Sequence, residues 1–200
     1  MGKVVVGTFV TLDGVMQSPG APDEDREGGF EHGGWLPPYF DESLGETMDD
    51  LIGRSEALLL GRKTYEIFVS YWPHQGDEDT MAAKLNSMPK YVASRTLDSV
   101  DWNNATLLQG DLADEVRQLK DEHGEINVAG SGNLIQSLLK HDLVDELQLL
   151  VFPVLIGTGK RLFGEGTIPR GLRLAESKTS GSGVTINRYE RVGELDYGSM

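Results

Sequence analysis

An α/β fold with a mostly parallel sheet and a C-terminal antiparallel hairpin is the architecture this sequence predicts. Two observations carry it. Short apolar runs rich in β-branched residues alternate along most of the chain with stretches of helical periodicity, the pattern of strands joined by crossover helices. Near the C-terminus the pattern changes. There "GLRLAESKT" and "GVTINRYERV" alternate in polarity and are joined through "SGSG", which reads as a hairpin.

Each element follows in order. Val4–Val10 is apolar and β-branched, a strand buried on both faces. Residues 13–38 hold many Gly, Pro, Asp and Glu without periodicity and read as a long loop, a length that in a compact domain points to function or disorder. Asp41 or Ser43 caps a helix running to about Gly53. Ala57–Leu60 is a short buried strand, and "GRKTYEIF" turns from it into a helix. "DEDTMAAKLNS" predicts another short helix, "KYVASRT" a strand, and Thr106–Leu108 a further short strand. Leu112–His123 is a helix with Leu112, Val116 and Leu119 on one face. Ile126–Ala129 is a strand and Asn133–Lys140 the helix after it. "VDELQLLVFPVLIG" is a long strand stopped by Pro153 and a glycine turn. The reading is one domain over residues 1–192, with 193–200 as a flexible tail.

Composition narrows the function. The formal net charge of −14 disfavours binding to nucleic acid, whose phosphates need a basic surface. No apolar run approaches the ~20 residues of a membrane span, and the N-terminus has neither a signal-peptide core nor a cleavage site, so no membrane partner is expected and the cytoplasm is the expected location. Cysteine is absent, which excludes disulfides and thiolate metal sites. His32, His74, His123 and His141 are scattered without ligand spacing, so no metal site is expected.

Three strand ends carry groups suited to phosphate. In "VAGSGNLIQSLL" the strand turns on Gly130 and Gly132 into a helix, where free N–H groups favour an anion. A dinucleotide fingerprint would need a third glycine where Ile135 stands, so the standard Rossmann reading fails. On this motif alone a phosphate cradle and an unliganded turn are both open. In "LLLGRKTYE" Gly61 ends a strand, and Arg62, Lys63 and Thr64 open a helix. Cations there oppose the helix dipole by ~0.3–1 kcal/mol each, a cost that a bound phosphate would reverse. "VASRTL" then places Ser94, Arg95 and Thr96 just after a strand. Ligands of open α/β sheets bind at the carboxyl ends of strands, so the three together are far more specific than any one.

In this order the motifs resemble the dihydrofolate-reductase-like superfamily, from Lys3 to about Arg191. "VTLDGV" and "VDELQLLVFPVLIGTGKRLF" look closer to the branch that holds the reductase domain of riboflavin biosynthesis and its stand-alone bacterial relatives. The resemblance implies a dihydrofolate-reductase-like three-layer fold and an NADPH-dependent reductase acting on a small heterocycle. It places Gly61, Arg62 and Thr64 at the cofactor's phosphates and Ser94 and Arg95 at the 2′-phosphate side. Gly130, Ser131, Gly132, Asn133 and Leu134 would wrap the pyrophosphate. Arg62, Lys63 and Arg95 would reverse the field of an acidic protein locally. It also sets the "GTGKR" turn near the cofactor cleft and a dimer contact.

The acid of the chemistry is less determined. Asp13 in "TLDGV" is a turn residue or a group near the nicotinamide, and the loop around it a lid. In dihydrofolate reductases an acid at the start of the first helix holds the pterin. Asp41 is the nearest counterpart, at a spacing that does not match cleanly, so it is a catalytic acid or a helix cap. Trp35, Tyr39, Tyr71 and Trp72 are core or rim residues, or partners for a planar ring. Dihydrofolate reduction, ribosylaminopyrimidine reduction and nucleotide binding without turnover all remain open. The zinc motif of an accompanying deaminase is absent with cysteine. The run "LQLLVFPVLI" is too apolar for a solvent-facing edge, which predicts a homodimer that buries part of this strand or its following turn.

Overall fold

The computed structural model describes residues 2–76, 78–165 and 167–199. Eight strands form a single sheet: β1 (Lys3–Thr11), β2 (Ala57–Gly61), β3 (Lys90–Ala93), β4 (Ala105–Leu108), β5 (Glu125–Ala129), β6 (Glu146–Phe152), β7 (Gly171–Thr179) and β8 (Thr185–Gly193). Their order across the sheet is β4-β3-β2-β5-β1-β6-β8-β7. The first six are mutually parallel, while β8 runs antiparallel to both β6 and β7. Among the described residues, five α-helices complete it: α1 (Glu42–Arg54), α2 (Arg62–Tyr71), α3 (Thr80–Ser87), α4 (Leu112–Glu122) and α5 (Gly132–Lys140).

Alternation along the strands sets the layers. Val4, Val6, Leu59, Ile126 and Val128 face one way, against Val116 and Leu119 of α4 and Ile135 and Leu138 of α5. Leu58, Leu60 and Val92 face the other way, against Ile52 of α1, Tyr65 of α2 and Leu85 of α3. At the N-terminal ends of the strands Lys3 bridges Glu125 and Glu146 at 3.0 and 2.7 Å, and Arg54 reaches Glu125 at 2.7 Å. These pairs tie β1, β5, β6 and the end of α1 together at the edge opposite the carboxyl ends.

Lys90 is fully buried. Its ammonium donates to the carbonyls of Leu85, Asn86 and Met88 at 2.7, 3.1 and 2.9 Å and lies 4.4 Å from the Trp102 ring centre. These orphan carbonyls close the end of α3. Burial pulls the Lys90 pKa down to about 8.

Several boundaries differ from expectation for local reasons. The strand in "KYVASRT" ends at Ala93, because the Ser94 hydroxyl accepts from the Thr96 and Leu97 amides at 3.1 Å and turns the chain. Helix α3 starts at Thr80, where Asp79 accepts from the Ala82 amide; Asp77 lies outside the described residues. Helix α5 begins one residue early, at Gly132. Strand β6 is interior, lying between β1 and β8, so the exposed apolar edge that predicted a dimer is not there. The open edges are β4 and β7. Beyond Gly193, residues 194–199 carry no regular structure.

The loop expected over residues 13–38 is packed. Val15 pairs with Arg161, the Trp35 indole donates to the Gln17 carbonyl at 3.0 Å, and Phe30 and Trp35 are buried. The Gln17 amide donates to the carbonyls of Asp25 and Glu27, both at 3.0 Å. Single 3-10 turns at Glu27–Gly29 and Pro37–Tyr39 are its regular structure.

Candidate active site

A cleft of about 1140 Å³ opens at the carboxyl ends of β1, β2, β3 and β5. All twelve residues nominated at the three strand ends line it: Gly61, Arg62, Lys63 and Thr64, then Ser94, Arg95 and Thr96, then Gly130, Ser131, Gly132, Asn133 and Leu134. Residues dispersed over more than seventy positions of sequence thus share one wall.

The helix starts explain what that wall suits. Asp41, Asp79 and Asp111 cap α1, α3 and α4 by accepting from amides of the first turn. Helices α2 and α5 have no side-chain cap and no acid in the first turn, and both open onto the cleft. Two N-termini left free in this way present unsatisfied N–H groups and partial positive charge to whatever occupies the cleft.

A hydroxyl latch holds the two starts side by side. The Ser131 amide donates to Thr64 Oγ1 at 3.0 Å, the two hydroxyls lie 3.0 Å apart, and the Gly61 amide donates to Ser131 Oγ at 2.9 Å. Gly130 (φ 53°) and Ser131 (φ 55°) both take the left-handed backbone. A Cβ on Gly130 would stand 3.1 Å from Thr64 Oγ1, so glycine is needed there for conformation and for space. Ser131 and Thr64 therefore build the wall as well as face it. Met16 from the loop lies over the start of α5, its sulfur 3.2 Å from where a Cβ on Gly132 would be.

The cations divide into two groups. Arg95 is exposed and forms no ion pair among the described residues, and Arg62 has only Glu66 at 3.9 Å. Lys63 and Lys160 are tied to loop acids instead. Lys63 meets Glu27 and lies 3.4 Å from Asp25, while Lys160 reaches Asp25 at 2.6 Å and Glu27 at 2.5 Å. The lysines hold the Glu27 carboxyl down at about 2, and the Glu27 contact raises the Lys63 pKa although burial opposes it. The field reversal expected of Arg62, Lys63 and Arg95 thus rests on the two arginines while the loop is docked. Lys160 and Arg161 of the "GTGKR" turn line the cleft, as the resemblance implied.

Neither candidate acid is among the residues lining the cleft. Asp13 accepts from the Thr11 hydroxyl at 2.6 Å and from the Gly157 and Ile156 amides at 2.7 and 3.3 Å, with Arg161 at 3.6 Å. The Thr11 hydrogen bond, helped by those amides, lowers its pKa to about 2. Asp41 takes the cap position, accepting from the Leu44 amide at 3.0 Å, and also accepts from the Ser182 amide at 2.9 Å. Their oxygens hold backbone. Of the four aromatics considered, Trp72 lines the cleft. Trp35 and Tyr39 pack edge-on against Phe152, and Tyr71 is exposed beside Trp72.

The other half of the cleft was not legible in the sequence. Gly7 and Phe9 of β1, Leu51 and Ile52 of α1, Phe68 of α2 and Asn127 of β5 line it. It is mostly apolar, with Asn127 and the neighbouring Thr8 of β1 as polar members.

A family model described as "RibD C-terminal domain" matches residues 2–186. The chain belongs to that family. It is a family of NADPH-dependent reductases, and the fold is dihydrofolate-reductase-like. Bacillus subtilis (strain 168) protein YyaP, itself uncharacterized, is 31% identical over 186 residues, 91% of each chain. A solved structure from Shewanella sp. PV-4, provisionally assigned to riboflavin biosynthesis, matches with a TM-score of 0.70 and 27% identity, over 95% of this chain and 99% of that one. A pyrimidine reductase-like protein from Corynebacterium diphtheriae shares the fold, with a TM-score of 0.65 and 14% identity over 96% of this chain and 93% of that one. Among the described residues no helix is long and apolar enough to cross a membrane.

Proposed function

We propose that this chain is an NADPH-dependent reductase of a small planar heterocycle, pterin-like or pyrimidine-like. One observation carries the reading: α2 and α5 open uncapped onto the same cleft, whereas α1, α3 and α4 are each capped by aspartate. The residues present fit the cofactor. Backbone amides at the start of α5 suit a pyrophosphate, and Arg95 with Ser94 suits the dianionic 2′-phosphate. Bound NADPH supplies the hydride. The chain orients it through the latched helix starts, and Met16 and the docked loop shield the site from water. The apolar half of the cleft beside it receives the heterocycle.

NADPH and NADH titrations of the unmodified protein, followed by NADPH oxidation against a panel of pterins and pyrimidines, test this. Equal affinity for the two cofactors ends the assignment. Dihydrofolate is expected to be turned over poorly, because Asp41 is engaged as a cap. A second reading, nucleotide binding without turnover, draws support from Asp13 and Asp41 both holding backbone amides. Tight NADPH binding with no oxidation across the panel favours it. With β6 interior, assembly as a homodimer would rest on the turn after it, where Leu155 is exposed, or on the β7 edge, where Leu172 and Leu174 are exposed, and light scattering tests it.

A further inference from the structure

Asn127 sits where the packing of the sheet calls for an apolar side chain. It lies in register between Val5 of β1 and Leu58 of β2, both fully buried. Its chain neighbours Ile126 and Val128 face the other way, into the core under α4 and α5. Asn127 is itself 1% exposed, and neither its Nδ2 nor its Oδ1 has a hydrogen-bond partner among the described residues. Other buried amides of this protein are engaged: Gln148 accepts from Arg54 at 2.7 Å, and Gln17 donates twice to the loop. An unmatched amide in an apolar setting is destabilising, and nothing in the fold uses this one.

Its position gives it a use. Asn127 is among the residues lining the cleft, beside Gly7 of β1. A Cβ on Gly7 would fall 3.4 Å from Asn127 Nδ2 and 2.5 Å from Leu51 Cδ2, so the glycine leaves room there for the Leu51 side chain, which must shift for a ligand to reach the amide from that side. An asparagine amide offers one acceptor and two donor hydrogens side by side. A carboxylate or phosphate would match the donor and leave Oδ1 orphaned. An N–H adjacent to a C=O on a ring edge matches both.

We infer that Asn127 is the specificity-determining residue of the substrate half: its amide pairs with a lactam edge, the adjacent N–H and C=O of a planar heterocycle. This rests on the reading of that half as the heterocycle's place. A site built to hydrogen-bond a polar edge rejects ligands lacking it, because its own buried groups are then left unpaired.

The test titrates the full chain, with and without saturating NADPH, using pterin and the O-methylated form of pterin. The latter keeps the ring system and loses the lactam N–H. The wild type is expected to bind pterin at least about tenfold more tightly. The Asn127 side-chain amide resonances are expected to move on adding pterin. Asn127→Leu and the smaller Asn127→Ala both lose the preference, while their NADPH affinity stays within about twofold. Without ligand, Asn127→Leu melts no lower than wild type, since it removes an unmatched amide. A preference that survives in both variants overturns the inference. So do unmoved amide resonances, or a lower melting temperature for Asn127→Leu, which would show the amide holding the fold. A lactam preference in the cofactor-free titration alongside no NADPH binding supports Asn127 and counts against the cofactor reading alone.

Discussion

The two halves of the cleft are built by different means. The helix-start wall is made of backbone amides, hydroxyls and arginines supplied by three short segments, each following a strand. The opposite half is made of residues from β1, α1, α2 and β5, four segments well separated in sequence. The first presents polar groups that the fold leaves free. The second presents mostly apolar surface with one buried amide unmatched among the described residues. A wall of backbone recognises what every nucleotide shares, whereas a floor of side chains can change its ligand by substitution without disturbing the fold.

The largest expected effect breaks the first half alone. Gly132→Val puts a branched side chain at the first residue of α5, where a Cβ already meets Met16. If the amides there hold the pyrophosphate, NADPH affinity falls by at least about 100-fold, the equivalent of two charge-assisted hydrogen bonds. Valine is a better helix former than glycine and the nearest neighbour of the new side chain is the flexible Met16, so the variant stays folded. Calorimetry on a folded variant with unchanged affinity would make the turn purely structural.

Arg95→Ala comes next. A charged hydrogen bond contributes about 1.5–3 kcal/mol, so NADPH should weaken by roughly 10- to 150-fold while NADH changes much less. Parallel titrations of the two cofactors read the difference directly, and equal weakening of both would move Arg95 away from the 2′-phosphate.

The same contrast explains what sequence could reveal. Each piece of the helix-start wall is local, a strand followed within a few residues by a hydroxyl with glycine, cation or both, and the twelve residues so chosen line one cleft. The sheet and its hairpin were legible for the same reason, through periodicity within single segments. Asn127, Leu51 and Phe68 look like core in their own segments, and only the crossovers of the sheet bring them together. The acids differ in another way. Asp13 and Asp41 are strong turn and cap residues, and that local use takes their oxygens. The strand "LQLLVF" suggested an edge because its partner β8, nearly forty residues later, is not visible from its own pattern.

Between these sits the latch. Thr64→Val removes the oxygen that accepts from the Ser131 amide and faces the Ser131 hydroxyl. Leaving that amide unmatched is expected to destabilise the protein by about 1–3 kcal/mol, read as a lower urea midpoint at unchanged slope. NADPH affinity should fall as well, because Ser131 is the left-handed residue from which α5 starts. Full stability in Thr64→Val would show the two helix starts held by packing alone.

The smallest effect separates a carboxylate that builds the site from one that performs its chemistry. The Asp13 carboxyl has a folded pKa of about 2 against an ordinary value of 3.8, lowered first by the Thr11 hydroxyl and then by the Gly157 and Ile156 amides. A depressed carboxylate pKa means that the unfolded chain binds more protons in this range. Its stabilisation is therefore complete above about 3.8 and is lost as the pH falls towards about 2. Melting temperatures of wild type and Asp13→Asn should differ at neutral pH and converge across that window. At neutral pH the substitution loosens the contact between the "TLDG" turn and residues 156–157, so NADPH affinity should change less than in Arg95→Ala. If Asp13→Asn instead removes turnover while the melting temperature at neutral pH is untouched, Asp13 belongs to the chemistry and not to the frame that carries it.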